Sequence, residues 1–278
     1  MVSVVIPVLN GERFLAQCLD ALQWQVDAPS FEVIVVDNGS TDRTVSIAEN
    51  HPLGVGVLRE LARGPYAARN TGIAVARGKV IALTDSGCIP APRWIAEALA
   101  ALDAGADLVG GAVRQRATRS NPTIWERYDR ATYLRQDRFI ALECFAATAN
   151  LVLWRSVFDT IGVFHPELVA SGDLEFGQRA VKAGFRLVFS AEAEVEREPR
   201  TTMRGTWDLH RKLGSGFAEL ARAGLRGPAW RDVSLRTSLS EAAGFVAEQG
   251  PPIRRRRLAP VHVLAMTARW VGRLSARG

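Results

Sequence analysis

Two different periods of apolar residues alternate along the first part of the chain. Short runs rich in β-branched residues predict strands, and segments with apolar residues three or four positions apart predict helices. The predicted strands cover residues 2–7, 31–36, 55–59, 79–84 and 107–113. The predicted helices cover residues 12–24, 65–76 and 92–102, with another beginning near Thr41-Asp42. This alternation predicts an α/β fold with a mostly parallel sheet and helices on both of its faces.

The pattern changes after residue 114. Residues 114–138 are polar and aromatic without a clear period, and we predict that they contain a mobile loop. Further along, we predict an apolar segment at 144–153, helices at 155–161 and 173–183, and a short strand at 186–190. From Thr201 onward the pattern predicts helices only, divided at 224–227 and 250–252. The predicted domains are 1–200, with halves 1–113 and 114–200, and a helical extension at 201–278.

Positive charge is concentrated at the C-terminal end of the chain. The 278 residues carry a formal charge of +6, which alone would suggest nucleic-acid binding. Residues 251–278 contain seven arginines and no acidic residue, so residues 1–250 are left with a charge of −1. The main domain is therefore not predicted to bind nucleic acid.

The cysteines and the N-terminus suggest a reducing compartment. Cys18, Cys88 and Cys144 are far apart and odd in number, and we predict buried, reduced thiols. Met1 leads directly into the first strand, without the features of a signal peptide. No segment reaches the roughly 18 apolar residues of a membrane-spanning helix. We therefore expect a cytoplasmic protein.

Polar residues follow three of the predicted strands. They lie in Asn10-Gly11-Glu12, in Asp37-Asn38-Gly39-Ser40 and at Asp85. In open α/β sheets, ligands bind at the carboxyl ends of the strands. The chain has no G-x-G-x-x-G after its first strand and no G-x-x-x-x-G-K-[ST], so a dinucleotide fold and a P-loop are not supported. These strand ends suit a nucleotide site of another kind.

Five motifs follow one another along residues 2–200. They are VSVVIPVLNGERFL, FEVIVVDNGSTDRT, ARNTGIAVARGKVIALTDSGCIP, ATANLVLWRSVFDTIGVF and GDLEFGQRAVKAG. In this order they resemble the family-2 glycosyltransferases of GT-A fold. The resemblance implies transfer of a sugar, with inversion, from a nucleoside diphosphate-sugar to a hydroxyl acceptor. It also implies a role in glycan, glycolipid or cell-surface polysaccharide synthesis.

The resemblance assigns nine residues to the nucleotide sugar. They are Pro7, Asn10, Glu12, Asp37, Asn38, Gly39, Arg69, Asn70 and Asp85. Asp37 would accept a hydrogen bond from the imide N–H of uracil in a UDP-sugar. Arg69 would lie beneath the phosphates, which its planar fork can bind in a bidentate way. Two simpler interpretations stay open, since Asp37 suits an ordinary turn and arginine is usually a surface charge.

Asp85 is also the predicted metal ligand. In the family's D-x-D motif the second aspartate coordinates Mg²⁺ or Mn²⁺, and here that position is Gly87. One carboxylate with phosphate oxygens and waters can still hold Mg²⁺. Alternatively, cationic side chains stabilise the departing diphosphate. The candidates are Arg69, Arg204, His210, Arg211 and Lys212. As a further alternative, Asp85 caps the following helix.

The resemblance assigns the catalytic base to Asp173. This residue would take the proton from the acceptor hydroxyl as it attacks the anomeric carbon. Asp173 lies at the start of a predicted helix, where the helix dipole tends to lower a carboxyl pKa. Glu175 is the second choice and could bind an acceptor hydroxyl, and Asn150 is placed on the acceptor side. A plain N-cap role for Asp173 stays open.

The C-terminal helix has two different faces. Arg269, Arg273 and Arg277 recur every four residues, and an apolar stripe with Trp270 nearby occupies another side. The stripe consists of Val261, Leu264, Ala268, Val271 and Leu274. With Arg254–Arg257, this pattern predicts a helix at an anionic membrane surface, on the inner face of the cell membrane. The acceptor is then lipid-linked or a saccharide. The alternative is a helix packed on the protein, with its arginines in water.

Two other function classes remain. A sugar nucleotidyltransferase normally has a glycine-rich basic loop after its first strand, which Val8–Phe14 lacks. A degenerate protein that binds a nucleotide without turnover is kept open by Gly87. Hydrolysis of the donor separates the transferase from both alternatives.

Overall fold

A computed structural model describes residues 1–116, 119–225 and 252–276, with side chains in the last range described from residue 258. The chain divides into two compact units. The α/β unit comprises Met1–Arg114 and Leu134–Arg197, and the helical unit comprises the described residues of Gln115–Tyr133 and Glu198–Gly278. The predicted boundary at residue 200 is close to the observed one. Gln115–Tyr133, however, groups with the C-terminal helices and not with the acceptor half.

The elements of the α/β unit follow the predicted alternation. They are β1 Val2–Val8, α1 Leu15–Gln23, β2 Phe31–Asp37, α2 Thr44–Glu49, β3 Gly56–Arg59, α3 Pro65–Val75, β4 Val80–Thr84, β5 Cys88–Pro90, α4 Trp94–Asp103 and β6 Leu108–Gln115. In the helical unit, α5 covers Ile124–Thr132. The α/β unit continues with α6 Gln136–Glu143, β7 Asn150–Trp154, α7 Arg155–Ile161, α8 Gly172–Lys182 and β8 Leu187–Arg197. The last strand is longer than predicted.

All strands in the described part of the chain belong to one eight-stranded sheet of order β3-β2-β1-β4-β7-β6-β8-β5. The four strands at the β3 end are parallel, with Val8 opposite Asp37. β7 runs antiparallel to both β4 and β6, and β5 runs antiparallel to β8. The parallel part brings the carboxyl ends of β1, β2 and β4 to the same edge. The predicted α/β class is confirmed.

Helix α3 lies unusually close to the parallel strands. Its Gly72 permits this approach, since a Cβ there would lie 2.5 Å from Val5 Cγ1 and 3.1 Å from Val36 Cγ2. A side chain at this position would push the helix away from the sheet. The close packing fixes the position of Arg69, which lies one turn earlier on the same helix.

A helix that the sequence pattern did not predict lies within residues 114–138. Helix α5 occupies much of this segment, and its N-cap Thr123 accepts a hydrogen bond from the Glu126 N–H. The helix buries Glu126, Tyr128 and Asp129, and Asp129 is paired with Arg200 at 3.2 Å. Because its buried face is largely polar, the helix shows no apolar period.

Two long helices form the rest of the described helical unit, α9 Met203–Arg222 and α10 Pro252–Ser275. Two glycines let them touch. A Cβ on Gly214 would lie 1.9 Å from the Arg269 carbonyl oxygen, and one on Gly272 would lie 2.0 Å from that of Arg211. The absence of a side chain at Gly214 therefore lets α9 and α10 pack closely, and α9 continues through this residue. The sequence pattern predicts that the helices are divided at 224–227 and 250–252. Of these positions, 226–227 and 250–251 lie outside the described residues.

The packing of α10 shows that part of the predicted membrane-facing stripe is buried within the protein. Val261 is 3% exposed and Ala268 is fully buried, so both belong to the interior of the helical unit. The side chains of Arg254–Arg257 lie outside the described residues. Within the described ranges, no helix has the length and hydropathy needed to cross a membrane.

The cysteines follow the prediction in two of three cases. Cys18 and Cys88 are buried thiols, whereas Cys144 is exposed, and none of the three forms a disulfide. Cys144 occupies the left-handed position that ends α6, with φ of +57°. Its exposure follows from this turn position.

Candidate functional site

Two loops meet at the carboxyl edge of the parallel strands. The Asn10 N–H donates to Ser40 Oγ at 2.8 Å, and Asn10 Oδ1 accepts from the Thr41 N–H at 2.9 Å. Glu12 accepts from the Arg43 N–H at 3.1 Å. The φ of Asn10 is +52°, a conformation that asparagine tolerates well. Asn10 and Glu12 therefore join the loops after β1 and β2.

Asp37 is the last residue of β2 and is only 4% exposed. Its carboxylate accepts from the backbone N–H groups of Gly39 at 3.3 Å and Ser40 at 3.1 Å. Gly39 has a φ of +92°, which favours glycine in this turn. Pro7 lies in the neighbouring strand, opposite Val36. The turn orients the Asp37 carboxylate and fits both the simple interpretation and a role in base recognition.

The side chain of Asn38 holds the segment that leads into α3. Its amide nitrogen donates to the Glu60 carbonyl at 3.0 Å and the Ala62 carbonyl at 2.7 Å. Its amide oxygen accepts from the Gly64 N–H at 2.9 Å. Asn38 therefore fixes the backbone of residues 60–64 beside the turn that holds Asp37.

Arg69 and Asp85 form an ion pair between α3 and the end of β4. Arg69 Nη2 lies 2.7 Å from Asp85 Oδ1, with the arginine side chain 5% exposed and the aspartate side chain 38% exposed. A buried arginine with a carboxylate partner is not an ordinary surface charge. The next long helix begins only at Trp94, so Asp85 is not its N-cap.

Asn70 contacts the backbone of the α/β unit and holds it in place. Its amide nitrogen donates to the Phe164 carbonyl at 2.8 Å, and its oxygen accepts from the Phe164 N–H at 3.2 Å. These bonds tie α3 to the segment before α8. Asn70 therefore has a structural role, and its contact with the nucleotide stays a prediction.

Asp173 is held by Tyr66, a residue in the first turn of α3. The Tyr66 hydroxyl donates to Asp173 Oδ1 at 3.1 Å, and the Asp173 N–H donates back to the hydroxyl at 3.2 Å. The N-cap position of α8 belongs to Ser171, so Asp173 is not the N-cap. Because Tyr66 also packs against Arg69, with the guanidinium carbon 5.4 Å from the ring centre, Asp173 and Arg69 share a neighbour.

Burial raises the pKa of the Asp173 carboxyl above its ordinary value. The positive charge of Arg69 and the hydrogen bond from Tyr66 act in the opposite direction but do not outweigh it. The prediction that the helix dipole lowers this pKa is therefore wrong in direction. A carboxylate with a raised pKa is a stronger base than an exposed one.

Glu175 and Asn150 do not suit the predicted acceptor contacts. Glu175 is 8% exposed and accepts from Arg179 Nε at 2.8 Å and Nη2 at 3.0 Å. Asn150 is fully buried and accepts from Trp94 Nε1 at 2.8 Å. Its amide nitrogen donates to the carbonyls of Ala112 and Ala193, both at 2.8 Å. The prediction for Asn150 is wrong, and Glu175 acts as the partner of Arg179.

The prediction that His210 is a cationic side chain for the departing diphosphate is wrong. It is 6% exposed in the helical unit, with its Nδ1 3.3 Å from Arg269 Nη2. Burial and the neighbouring Arg269 charge lower the pKa of His210 to about 2. The imidazole is therefore neutral at physiological pH and cannot stabilise a diphosphate by charge.

A comparison with known protein families matches residues 3–162 to "Glycosyl transferase family 2". The match covers more than half of the chain and includes Asp37, Arg69 and Asp85. The chain belongs to glycosyl transferase family 2. This confirms the resemblance that the sequence motifs carry.

Curated members of the family resemble the chain over parts of their length. Glycosyltransferase AglE of Haloferax volcanii is 36% identical over 195 residues, which are 68% of this chain and 64% of AglE. The uncharacterized glycosyltransferase EpsJ of Bacillus subtilis is 36% identical over 88 residues, or 31% of this chain and 25% of EpsJ. The chain therefore aligns with less than two thirds of either relative.

Solved structures of GT-A glycosyltransferases share the fold. The mannosyltransferase PcManGT from Pyrobaculum calidifontis, in complex with GDP-Man and Mn²⁺, has a TM-score of 0.68 and 20% identity. The alignment covers 100% of this chain and 88% of PcManGT. Glucosyl-3-phosphoglycerate synthase from Mycobacterium tuberculosis has a TM-score of 0.58 and 22% identity, with 82% of each chain covered. The predicted GT-A-like fold is confirmed.

This family-2 chain has an incomplete carboxylate set for a metal ion. No cluster of three or more His, Cys, Asp or Glu side chains in the described residues could hold a metal. The carboxylate of Asp85 keeps 38% of its side chain exposed while it pairs with Arg69. One partly exposed carboxylate fits a metal that takes most of its ligands from phosphates and water.

Sequence reasoning missed Tyr66. No motif includes it, but it lies three residues before Arg69 on a predicted helix, and residues at this spacing share a helix face. That spacing was the available signal. The contact with Asp173 joins residues 107 positions apart and could not be read from local pattern.

Proposed function

We propose that this chain is a glycosyltransferase that moves a sugar from a nucleoside diphosphate-sugar to a hydroxyl acceptor, with inversion. The observation that carries the proposal is the linked series Asp85–Arg69–Tyr66–Asp173. It connects the proposed donor side, at the end of β4, with the proposed base at the start of α8. Family membership supports the same chemistry.

Each side chain has a defined task in the proposed reaction. Asp37 accepts a hydrogen bond from the ring N–H of the base, which is the imide N3–H in uracil and the lactam N1–H in guanine. Arg69 donates to the diphosphate and stabilises the charge that develops as the bond to the anomeric carbon breaks. Asp173 takes the proton of the acceptor hydroxyl as its oxygen forms the new bond to that carbon. The nucleoside diphosphate leaves on the opposite face, which inverts the anomeric centre.

A donor panel tests the proposal directly. UDP-glucose, UDP-N-acetylglucosamine and GDP-mannose are incubated with the protein, and thermal shift and nucleoside diphosphate release are measured. A bound donor raises the melting temperature by mass action, and slow release of nucleoside diphosphate supports a transferase. A rise in melting temperature without release supports the degenerate binding protein. Pyrophosphate release from a nucleoside triphosphate and a sugar phosphate supports the nucleotidyltransferase.

We also propose that Asp85 holds Mg²⁺ or Mn²⁺ together with the donor phosphates. Two solved structures of the same fold are complexes with Mn²⁺ and a nucleotide sugar. A bound ion would supply positive charge to the leaving diphosphate. Because Asp85 also pairs with Arg69, the chain's own arginine shares that task. We therefore expect weaker metal dependence than in relatives with two aspartates.

Gly87→Asp is expected to strengthen the metal dependence. A Cβ at Gly87 would meet no heavy atom within 4 Å, so a carboxylate fits there. The Mn²⁺ concentration for half-maximal nucleoside diphosphate release should fall by about tenfold, equivalent to roughly 1.4 kcal/mol. Gly87→Ala is the matched control, since it adds the Cβ without the charge. Equal metal titrations for the two variants would count against a metal at Asp85.

A second proposal concerns the membrane. Three side chains on one face of α10 stay exposed, with Val263 at 43% and both Trp270 and Leu274 at 41%. Trp270 and Leu274 belong to the predicted membrane-facing pattern, whereas Val263 does not. We propose that this face and Arg254–Arg257 bind an anionic membrane at the inner face of the cell membrane, where a lipid-linked acceptor would be available.

Trp270→Ala is expected to weaken membrane binding. The protein should sediment with vesicles of phosphatidylglycerol and phosphatidylcholine at low salt and be released by salt, which screens exposed charges. The variant should bind about tenfold less, because burial of a large apolar side chain is worth about 1.5–3 kcal/mol. Trp24→Ala is the control, as Trp24 is 71% exposed in the α/β unit. Equal binding of both variants, or none by the unaltered chain, contradicts the proposal.

A further inference from the structure

The ring of Tyr66 is locked in the interior of the α/β unit. Tyr66 is 4% exposed, and its ring centre lies 5.5 Å from that of Phe164. The Arg69 guanidinium carbon lies 5.4 Å from the same ring centre. With packing on both sides, the direction of the hydroxyl is set by the fold and not by a flexible side chain.

Gly172, the first residue of α8, lies directly against the ring of Tyr66. A Cβ on Gly172 would lie 2.8–2.9 Å from three ring carbons of Tyr66, closer than side chains normally approach. The absence of a side chain at this position lets the ring lie directly beside the start of α8.

The hydroxyl contacts Asp173 at two points. It donates to Oδ1 at 3.1 Å and accepts from the Asp173 backbone N–H at 3.2 Å. One hydroxyl therefore contacts both the carboxylate and the backbone that carries it, and Oδ1 also accepts from the Leu174 N–H at 3.0 Å. Because Tyr66 and Arg69 are one helical turn apart on α3, the same helix positions the proposed base and the proposed phosphate ligand.

We propose that Tyr66 is the positioning residue for Asp173, aiming its carboxylate at the acceptor hydroxyl and favouring its ionised form. The proposal rests on the proposed function, in which Asp173 is the general base. Burial and the Asp173 charge raise the pKa of Tyr66 well above its ordinary value, so the hydroxyl stays protonated and can donate. The hydrogen bond it donates lowers the pKa of Asp173, against the effect of burial.

Tyr66→Phe tests the role of the hydroxyl alone, because the ring and its packing are kept. With the fastest donor of the panel, kcat for nucleoside diphosphate release should fall by about 10- to 100-fold, the usual effect of losing a hydrogen bond to a charged group. The donor KM should stay within about twofold. Asp173 loses a bond to its ionised form, so its pKa rises and the acid limb of the kcat–pH profile moves up by about half a unit or more.

Two further variants guard against a simple folding defect. Gly172→Ala should lower kcat by displacing the ring, and should add little to the loss in a Tyr66→Ala background, where the ring is gone. Tyr133→Phe is the matched control. Tyr133 belongs to the helical unit, where its ring packs under Arg200 at 4.2 Å. This control should keep the unaltered kcat and pH profile.

The outcomes separate this proposal from the proposed function. If Asp173→Asn is inactive and Tyr66→Phe keeps full kcat or an unshifted acid limb, the positioning role of Tyr66 is overturned and the base is retained. If Asp173→Asn keeps near-full turnover, the assignment of the base is overturned first. A lowered kcat with the shifted limb in Tyr66→Phe, together with an inactive Asp173→Asn, supports both.

Discussion

Replacing Asp173 with asparagine is expected to lower the rate of sugar transfer by about 10²–10⁴-fold, the usual contribution of a general base. The amide cannot take the proton of the acceptor hydroxyl. Donor affinity should stay within about twofold, because the base acts on the acceptor and not on the nucleotide. The carbonyl of asparagine can still accept from the Tyr66 hydroxyl, so the local packing is kept. Single-turnover rates and calorimetric donor titrations measure the two quantities separately.

The same variant should be more stable than the unaltered protein at neutral pH. Burial raises the pKa of Asp173, so the folded chain keeps its proton to a higher pH than the unfolded chain does. Stability therefore falls as the pH rises through this interval, and the asparagine variant avoids that loss. Its advantage in melting temperature should vanish below about pH 4, where the carboxyl is protonated in both states.

Asp159→Asn, which removes an exposed carboxylate from α7, is the control and should change neither rate nor stability. Near-full turnover by Asp173→Asn would move the base to another residue. A melting temperature that does not rise at neutral pH would contradict the burial argument. The two measurements test chemistry and electrostatics independently.

Asp37→Asn is expected to weaken UDP binding by about 10- to 100-fold, the effect of losing a hydrogen bond to a charged acceptor. The variant keeps one oxygen for the Ser40 N–H, so the turn after β2 is retained. Its new NH₂ group would face the ring N–H of the base, and two hydrogen-bond donors cannot bond to each other. Calorimetric titration with UDP and with GDP measures the effect and shows which base the site prefers.

Glu32→Gln is the matched control for Asp37. Glu32 lies near the opposite end of β2, where it accepts from Ser3 Oγ at 2.7 Å and from Arg77. This variant should lose stability but keep UDP affinity. Equal UDP affinity in Asp37→Asn and the unaltered chain would remove Asp37 from the proposed site.

The local sequence pattern was sufficient to predict a helix or strand where that element buries one apolar face. Five of the six strands and the helices of residues 1–115 follow from their periods, whereas the short strand β5, Cys88–Pro90, was not predicted. The same periods place Asp37 and Asp85 at strand ends. Pattern failed at α5, because this helix buries charged residues that are paired within the helical unit. It failed again at Asn150, which looks like a site residue but satisfies all of its hydrogen bonds in the core.

The sequence alone determined the α/β order, the strand-end carboxylates and the family, because periodicity and motifs are local properties. Only the tertiary structure decided which charges meet. Arg69 and Asp85 are 16 residues apart, and Tyr66 and Asp173 are 107 apart. Tertiary packing also decided the direction of the pKa shift of Asp173. Burial raises this pKa by more than the dipole at the start of α8 was expected to lower it. Desolvation and long-range pairing depend on which elements pack together, and no local period encodes that.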